Sequence, residues 1–345
     1  MKRIAKETLL PNLLLCWRWI NKNSAIPTIL AWRNCQPRPP SFSVAMRVQY
    51  LTASNNQSCD AIPSSCRLSV FGKFLVSSSI QHHTCPRPWM LAESTLETVR
   101  KSEYQMAILP LGATEPHNLH LPYATDIYEA EWIASEIAQG AWEQGARPVV
   151  LPTIPYGTET NMQRFPLAMN VMPSTLFRVI EDLVQSVAAS GIRKLLLLNS
   201  HGGNELKPLL RELHGKTDVQ LFLCNWFQMV RDLSQHIFAK PDDHAGEMET
   251  SMILAYRPEL VARTSDGGLH ADQGAARPMR FEALEKGWVS ITRPWHLLTT
   301  NSGCGDPHAA SADKGHQMMA GIRQRLVPFI VQLCNSPIDE TFPFT

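Results

Sequence analysis

The sequence predicts an α/β protein whose largely parallel sheet is covered by helices on both faces. Three observations predict it. From Met90 onward, short apolar runs alternate with amphipathic helical stretches, as in chains of strand–helix–strand units. The clearest run, Lys194–Asn199, is continuous rather than alternating, which suits a strand buried on both faces. Polar clusters rich in His, Asp and Glu follow directly after the runs, where such sheets place their chemistry.

The elements follow in order. Gln105–Leu111 is an apolar run stopped by Gly112 and predicts a buried strand. Asp126 opens a helical pattern through Ile127, Ala130, Ile133, Ile137 and Trp142. Pro148–Pro152 predicts a second strand, closed by Tyr156-Gly157. Pro173-Ser174 begins a helix with one apolar stripe, Leu176, Val179, Ile180, Leu183, Val184 and Val187, ended by Gly191. The strand Lys194–Asn199 comes next, then a connecting helix near Glu205–His214 and a strand over Val219–Asn225. Helices near Glu247–Tyr256 and Ala309–Leu333 complete the pattern.

Residues 1–89 read differently from this domain, which is taken as 90–335 with a tail over 336–345. The first stretch has no sustained period, and scatters Trp17, Trp19, Trp32, a Gln36-Pro37-Arg38-Pro39-Pro40 run and serine clusters. One expectation is that Met90 is the true start and the upstream segment a translation artefact; a targeting extension or a poorly ordered arm are the alternatives. Lys2, Arg3 and Lys6 before Leu13-Leu14-Leu15-Cys16 loosely resemble a signal segment. Pro11, Asn12 and Arg18 interrupt it, and the apolar core of roughly 7–15 residues that a signal needs is missing.

Composition excludes several classes. Lys+Arg 32 against Asp+Glu 31 gives a net charge of +1, without the basic excess of a nucleic-acid surface. No apolar run approaches the ~20 residues that span a bilayer. Five of the eight cysteines (Cys16, Cys35, Cys59, Cys66 and Cys85) precede Met90, and Cys224, Cys304 and Cys334 follow it. None is spaced C-x-x-C, so the expectation is reduced thiols in a cytoplasmic protein.

Three clusters carry the chemistry. Gly112-Ala-Thr-Glu115-Pro-His117 leads to Asp126 after the first strand. Asn199-Ser-His201-Gly-Gly-Asn204 follows the most apolar one. Asp243-His244-Ala-Gly-Glu247-Met-Glu249-Thr-Ser251 enters a helix. Glu, His and Asp are the donors favoured by zinc, manganese and ferrous iron. Asp126 has two oxygens with which to bridge two ions, and a two-metal site needs about five protein ligands. Plainer readings stay open on the residues alone. Asp126 suits a helix N-cap, His201-Gly-Gly a tight turn, His244 a cap, and Glu247 and Glu249 a solvated face.

The run Leu111-Gly-Ala-Thr-Glu115-Pro-His117-Asn-Leu-His-Leu-Pro-Tyr-Ala-Thr-Asp126 resembles the signature of the creatininase family. Asn199-Ser-His201-Gly-Gly-Asn204 and His244-Ala-Gly-Glu-Met-Glu249-Thr-Ser251 resemble its second and third motifs, and Gly303-Cys-Gly-Asp-Pro307 with Ala310 and Gly315 a fourth. The four occur in the family's order from about Met90 to Leu333. The resemblance implies a three-layer α/β/α sandwich, two divalent metal ions (zinc, manganese or iron) and hydrolysis of C–N bonds in cyclic amides or N-formyl compounds. It implies a homo-oligomer, a hexamer among the forms, acting on a small-molecule amide without nucleic acid or membrane.

Carried over by position, Glu115, Asp126 and His201 would hold one metal, and His117, the shared Asp126 and a further carboxylate the other. In creatininase proper that carboxylate lies two residues after the motif-two histidine, where this chain has Gly203. Glu249 is the substitute, with Glu247 second, and the departure argues against creatinine as substrate. The usual Gly-Pro after the first-motif histidine is Asn118-Leu119. The pocket-lining Glu-His and Phe-Pro-Gly-Thr stretch appears as Asn161-Met-Gln163-Arg-Phe165-Pro-Leu-Ala168. The implied mechanism is attack on the amide by a hydroxide held between the metals. His244 and Glu247 are the expected catalytic residues, His244 as proton donor to the departing nitrogen. Two other classes stay open. One is a different two-metal hydrolase such as a phosphoesterase, which would need a cluster of Arg or Lys that is not obvious beyond Arg164 and Lys207. The other is a non-catalytic or partner-dependent metal-binding member of the family.

Overall fold

A computed structural model describes residues 87–240 and 242–344; the readings made for residues 1–86 lie outside the described residues. Four parallel strands form the sheet, in the order β2-β1-β3-β4. They are β1 (Met106–Leu111), β2 (Pro148–Val150), β3 (Lys194–Asn199) and β4 (Gln220–Asn225). Between and after them lie α1 (Leu96–Lys101), α2 (Thr125–Glu143), α3 (Pro173–Ala189), α4 (Lys207–Leu213), α5 (Trp226–Met229), α6 (Arg231–Ile237), α7 (Glu247–Tyr256), α8 (Glu282–Glu285), α9 (Trp295–Leu298) and α10 (Ala312–Asn335).

The continuous apolar runs explain the layers. Side chains alternate across a strand, so β1 and β3 need apolar residues at every position only if both faces are covered. Ala107, Leu109, Leu195 and Leu197 pack with Leu176, Ile180, Val184 and Leu209 from α3 and α4. Met106, Ile108, Leu196 and Leu198 pack on the other face with Ile133, Ile137, Met252, Met318 and Ile322 from α2, α7 and α10. The result is the predicted three-layer α/β/α sandwich. Met90 bridges Val150 in parallel, so the chain joins the edge of β2 at that point. Among the described residues no helix is long and apolar enough to cross a membrane.

Register places the chemistry. Leu111 at the end of β1 pairs with Asn199 at the end of β3, so the loops carrying Glu115 and His201 leave the sheet side by side. Lys194, at the opposite end of β3, is buried and donates to the Leu333 carbonyl (2.6 Å) and to that of Ser336. A cation there satisfies the last carbonyls of α10 and complements its dipole. Two features depart from the pattern read in the sequence. The N-cap of α2 is Ala124, and Asp126 lies in the first turn with its side chain free for other work. The short helices α1, α5, α6, α8 and α9 have no counterpart among the predicted elements.

Candidate metal centre

The loop after β1 is rigid at the point where it presents Glu115 and His117. The Glu115 amide donates to the Tyr123 carbonyl (3.1 Å), and the next turn passes through Asn118 at φ 56. Asparagine is among the few non-glycine residues that tolerate this left-handed region, so Asn118 can stand where the family has glycine. Its amide donates to Ser302 Oγ (3.0 Å) and its side-chain amide to the Asp272 carbonyl (3.1 Å), which fixes the turn.

The loop after β3 is organised by Asn199. Its side-chain amide donates to the His201 carbonyl (2.8 Å), while its oxygen accepts from the Asn204 side chain (3.0 Å). Asn204 in turn accepts the Thr158 amide (3.1 Å), pinning the loop after β2 against this one. The third cluster lies at the start of α7. The fourth motif backs it: Cys304 and His244 exchange backbone hydrogen bonds (2.8 and 3.1 Å), and Gly315 lets α10 lie directly on the Ser251 carbonyl.

These segments bring Glu115, His117, Asp126, His201, His244 and Glu249 together. One ligand atom from each of Glu115, Asp126 and His201 lies within 4.8 Å of the others, and the same holds for His117, Asp126 and Glu249. Asp126 belongs to both triads, as a shared ligand must. A third group, Glu115, His117 and His244, borders the same space. All are buried except Glu249, which is half-buried.

The histidine hydrogen bonds sort the ring nitrogens. His117 Nδ1 faces the Glu115 carbonyl at 3.0 Å, so it carries the proton and donates, and Nε2 meets Asp126 Oδ1 at 3.0 Å. His201 Nε2 faces the Thr158 carbonyl at 3.2 Å, while Nδ1 lies 3.1 Å from Glu115 Oε1 and 3.0 Å from Asp126 Oδ2. In both rings the outer nitrogen is occupied by an acceptor and the inner one faces the carboxylates. That is the arrangement of metal-binding histidines.

The donor set fits divalent cations. Glu115 Oε2 and Asp126 Oδ2 are buried without an aligned hydrogen-bond donor among the described residues. Carboxylate oxygens in that state are costly inside a protein unless a cation completes them. Electrostatics agree. Burial pushes the Glu115 carboxyl well above its ordinary range and Glu249 to about 7. Burial disfavours the charged form of His117, but the Asp126 charge beside it prevails and raises His117 to about 10. Asp126 is held below the usual carboxylate range because its two histidines outweigh its burial.

A cavity of about 660 Å³ opens over the cluster, with Glu115, Asp126, His201, His244 and Glu249 on its lining. Trp226, Phe238 and Trp295 supply apolar wall, and Arg231, Lys240 and Arg293 supply cations. Arg293 pairs with Asp243 (2.7 Å) and Lys240 with Asp306 (3.1 Å). Arg164 and Lys207 are not on that lining. His244 lies with its ring 5.1 Å from that of Trp295 and its Nε2 2.9 Å from the Pro116 carbonyl. Burial and the His117 charge lower it to about 3.

Glu247 is not brought to the cluster. Its carboxylate accepts the Ala239 amide (2.7 Å) and pairs with Lys314, off the cavity lining. Two buried carboxylates went unnoticed in the sequence. Glu129 lies one turn along α2 from Asp126 and accepts Ser200 Oγ (3.0 Å); Glu159 lies 2.7 Å from His201 Nε2. The spacing of three from Asp126 was a usable signal for Glu129.

Comparison with known proteins gives the family. The family profile described as creatinine amidohydrolase matches residues 91–330. A mycofactocin precursor peptide peptidase from Mycobacterium ulcerans is 27% identical over 256 residues, 70% of this chain and 91% of its own. A solved Bacteroides fragilis protein, provisionally described as a creatinine amidohydrolase, is 35% identical with a TM-score of 0.68, over 74% of this chain and 99% of its own. A solved creatininase named with manganese shares the fold at 20% identity and a TM-score of 0.57, over 72% of this chain and 99% of its own. With the family profile running from Leu91 to Ile330, through all four motifs and the sheet that positions them, the chain belongs to the creatininase family and is an amidohydrolase-type hydrolase.

Proposed function

We propose that this chain is a two-metal amidohydrolase that cleaves a C–N bond of a small cyclic amide or N-formyl compound. The observation that carries the reading is the membership of Asp126 in two overlapping triads at the floor of one cavity. Glu115, Asp126 and His201 hold one ion, and His117, Asp126 and Glu249 the other. Nitrogen and oxygen donors of this kind suit zinc, manganese or iron, and a creatininase of the same fold is named with manganese. Bound there, the ions supply acidified water and polarisation of the amide carbonyl.

The chain's own residues do the rest. Trp226, Phe238 and Trp295 shield the scissile amide from bulk water, which strengthens each polar contact inside. His244 keeps its Nε2 proton on the Pro116 carbonyl, leaving Nδ1 as the acceptor, 3.8 Å from Glu115 Oε1. Held at about 3, it is neutral near pH 7. Its Nδ1 is therefore the open nitrogen through which a proton would reach the departing nitrogen, the donor role expected for His244.

A short peptide is the second reading. The cavity of about 660 Å³ exceeds the needs of one small ring, and the Mycobacterium ulcerans relative is named a peptide peptidase. Arg231 and Lys240 on the lining suit a substrate carboxylate. A cytoplasmic site and self-association belong to the same proposal. Free Cys224, Cys304 and Cys334 support the first, and exposed Phe281, Trp288, Val289 and Ile291 support the second.

The test is direct. Protein stripped by chelator and reloaded with Zn²⁺, Mn²⁺ or Fe²⁺ is assayed on lactams, formamides, short peptides and phosphate esters. Metal-dependent release of an amine supports the reading. Metal uptake without turnover supports a non-catalytic member, and cleavage of phosphate esters alone a phosphoesterase; either overturns it. Asp126→Ala should fold, lose both ions by elemental analysis and be inactive. Retention of both ions would end the shared-ligand assignment.

A further inference from the structure

Glu159 is fully buried in the loop after β2, and neither of its carboxylate oxygens meets an aligned hydrogen-bond donor among the described residues. Its Oε1 nevertheless stands 2.7 Å from His201 Nε2, nearer than the Thr158 carbonyl at 3.2 Å. The carbonyl meets the geometry of a ring N–H hydrogen bond and the nearer carboxylate does not. We propose that Glu159 is a positioning residue for the metal-binding face of His201, a carboxylate that holds the outer ring proton so that Nδ1 is presented to the ion. The inference rests on the metal reading above and concerns the triad of Glu115, Asp126 and His201.

Physical chemistry supplies the reason. A neutral imidazole has one N–H, and whichever nitrogen meets an acceptor keeps it. A carboxylate is a stronger acceptor than a carbonyl, fixes the tautomer more firmly and makes the opposite nitrogen a better donor to a metal. His117 has only the Glu115 carbonyl on its outer nitrogen. The two triads are therefore unequal, and the His201 site is the tighter one.

The surroundings are built for this contact. The Glu159 amide donates to Asn170 Oδ1 (2.8 Å) and the Thr158 amide to Asn204 Oδ1 (3.1 Å), so the loop is tied down on both sides of the peptide. The His201 ring fits between two glycines. A Cβ at Gly157 would stand 2.9 Å from His201 Cδ2, and one at Gly203 would overlap Nε2 and the Thr158 carbonyl oxygen. Gly203 occupies the position where creatininase proper has a metal-binding carboxylate. In this chain the missing side chain leaves the space in which the Thr158 carbonyl reaches the ring.

Two measurements on the full chain test the proposal. Metal-free protein is titrated with Zn²⁺ against a competing chelator, and the downfield imidazole N–H proton of the zinc-loaded protein is followed by NMR. That resonance is assigned to His201 by its loss in His201→Ala. Glu159→Gln should weaken uptake of the first ion by about 10–100-fold and move the His201 N–H resonance upfield, with the far-ultraviolet circular dichroism unchanged. Unchanged affinity overturns the proposal, and so does weakened affinity with the resonance unmoved, since a merely structural role leaves that proton alone. Should Glu159→Gln not fold, Glu159→Asp carries the same test, because it withdraws the carboxylate by one methylene. Wild-type protein that takes up no zinc would overturn the metal reading itself, and this inference with it. Normal uptake by wild type and variant alike overturns only the role of Glu159.

Discussion

His244 illustrates how a single side chain can be tested twice. Its ring lines the cavity beside the two triads, without belonging to either. His244→Ala should therefore keep its metal content and lower kcat by about 10²–10⁴, with metal analysis and steady-state rates run on the same preparation. The second test is stability. The folded value of about 3 lies below the ordinary 6.5 of a histidine. Above pH 6.5 both folded and unfolded chains leave His244 neutral, and its burial carries no protonation penalty. As pH falls below 6.5 the unfolded chain binds a proton that the folded chain refuses until about 3, so stability is lost in that window. Metal-free wild type should show a component of up to about 1.4 kcal/mol per pH unit there that His244→Gln lacks. Identical urea midpoints for the two proteins across pH 4–6.5 would show that His244 is not held neutral. At this scale the sequence was informative where a residue type meets a position. Glu115, His117, Asp126, His201 and Glu249 stand at strand exits or a helix entrance, and those places can be read from the chain. Glu159 could not be read that way, because its meaning depends on a ring supplied by residue 201. Glu247 shows the converse. Two positions from Glu249 on a helix, it faces another direction, toward Lys314.

Elements were legible in proportion to how local their causes are. The strands β1 and β3 declare themselves by unbroken apolar runs, and α3 by its stripe and by Gly191 at φ 80 after its end. Helices α5 and α6 are short and have few local signals. They form because β4 ends against the cavity and Trp226 is buried there, with its indole N–H donating to Ser200 Oγ (2.8 Å). Tertiary contacts of this kind leave little trace in the chain. The pairing of α7 with α10 is the element-scale feature most exposed to test. At Gly315 a Cβ would overlap the Ser251 carbonyl, which is backbone and has no rotamer with which to give way. Gly315→Ala should cost about 1–3 kcal/mol, read as a lower urea midpoint. Since α7 carries Glu249, the variant should also bind metal more weakly. Gly202→Ala is the control, because a Cβ there meets nothing within 4 Å, and its stability should stay within about 0.5 kcal/mol of wild type. Equal midpoints for the two variants would refute the close packing at Gly315.

For the whole molecule, metal and folding are one equilibrium. The sandwich brings Glu115, Asp126, Glu129, Glu159 and Glu249 into one region where His117 and His201 are the cationic partners among the described residues. Without ions, burial meets this by protonation. It raises Glu115 and Glu129 well above the carboxylate range and Glu249 to about 7, and the Asp126 charge keeps His117 protonated up to about 10. Ligands must shed those protons to bind a cation, so uptake should release protons near pH 7, and affinity should rise with pH through the Glu249 value. Calorimetric titration in two buffers of different ionisation enthalpy reads the proton count. Ions that bind only the folded chain also stabilise it, by about 2.7 kcal/mol per site at a hundredfold excess over the dissociation constant. Chelation should thus lower the melting temperature, and Zn²⁺ or Mn²⁺ should restore it in wild type but not in Asp126→Ala. A melting temperature indifferent to chelator, together with no proton release, would mean that the buried charges are balanced by protons alone and that no cation resides at the triads.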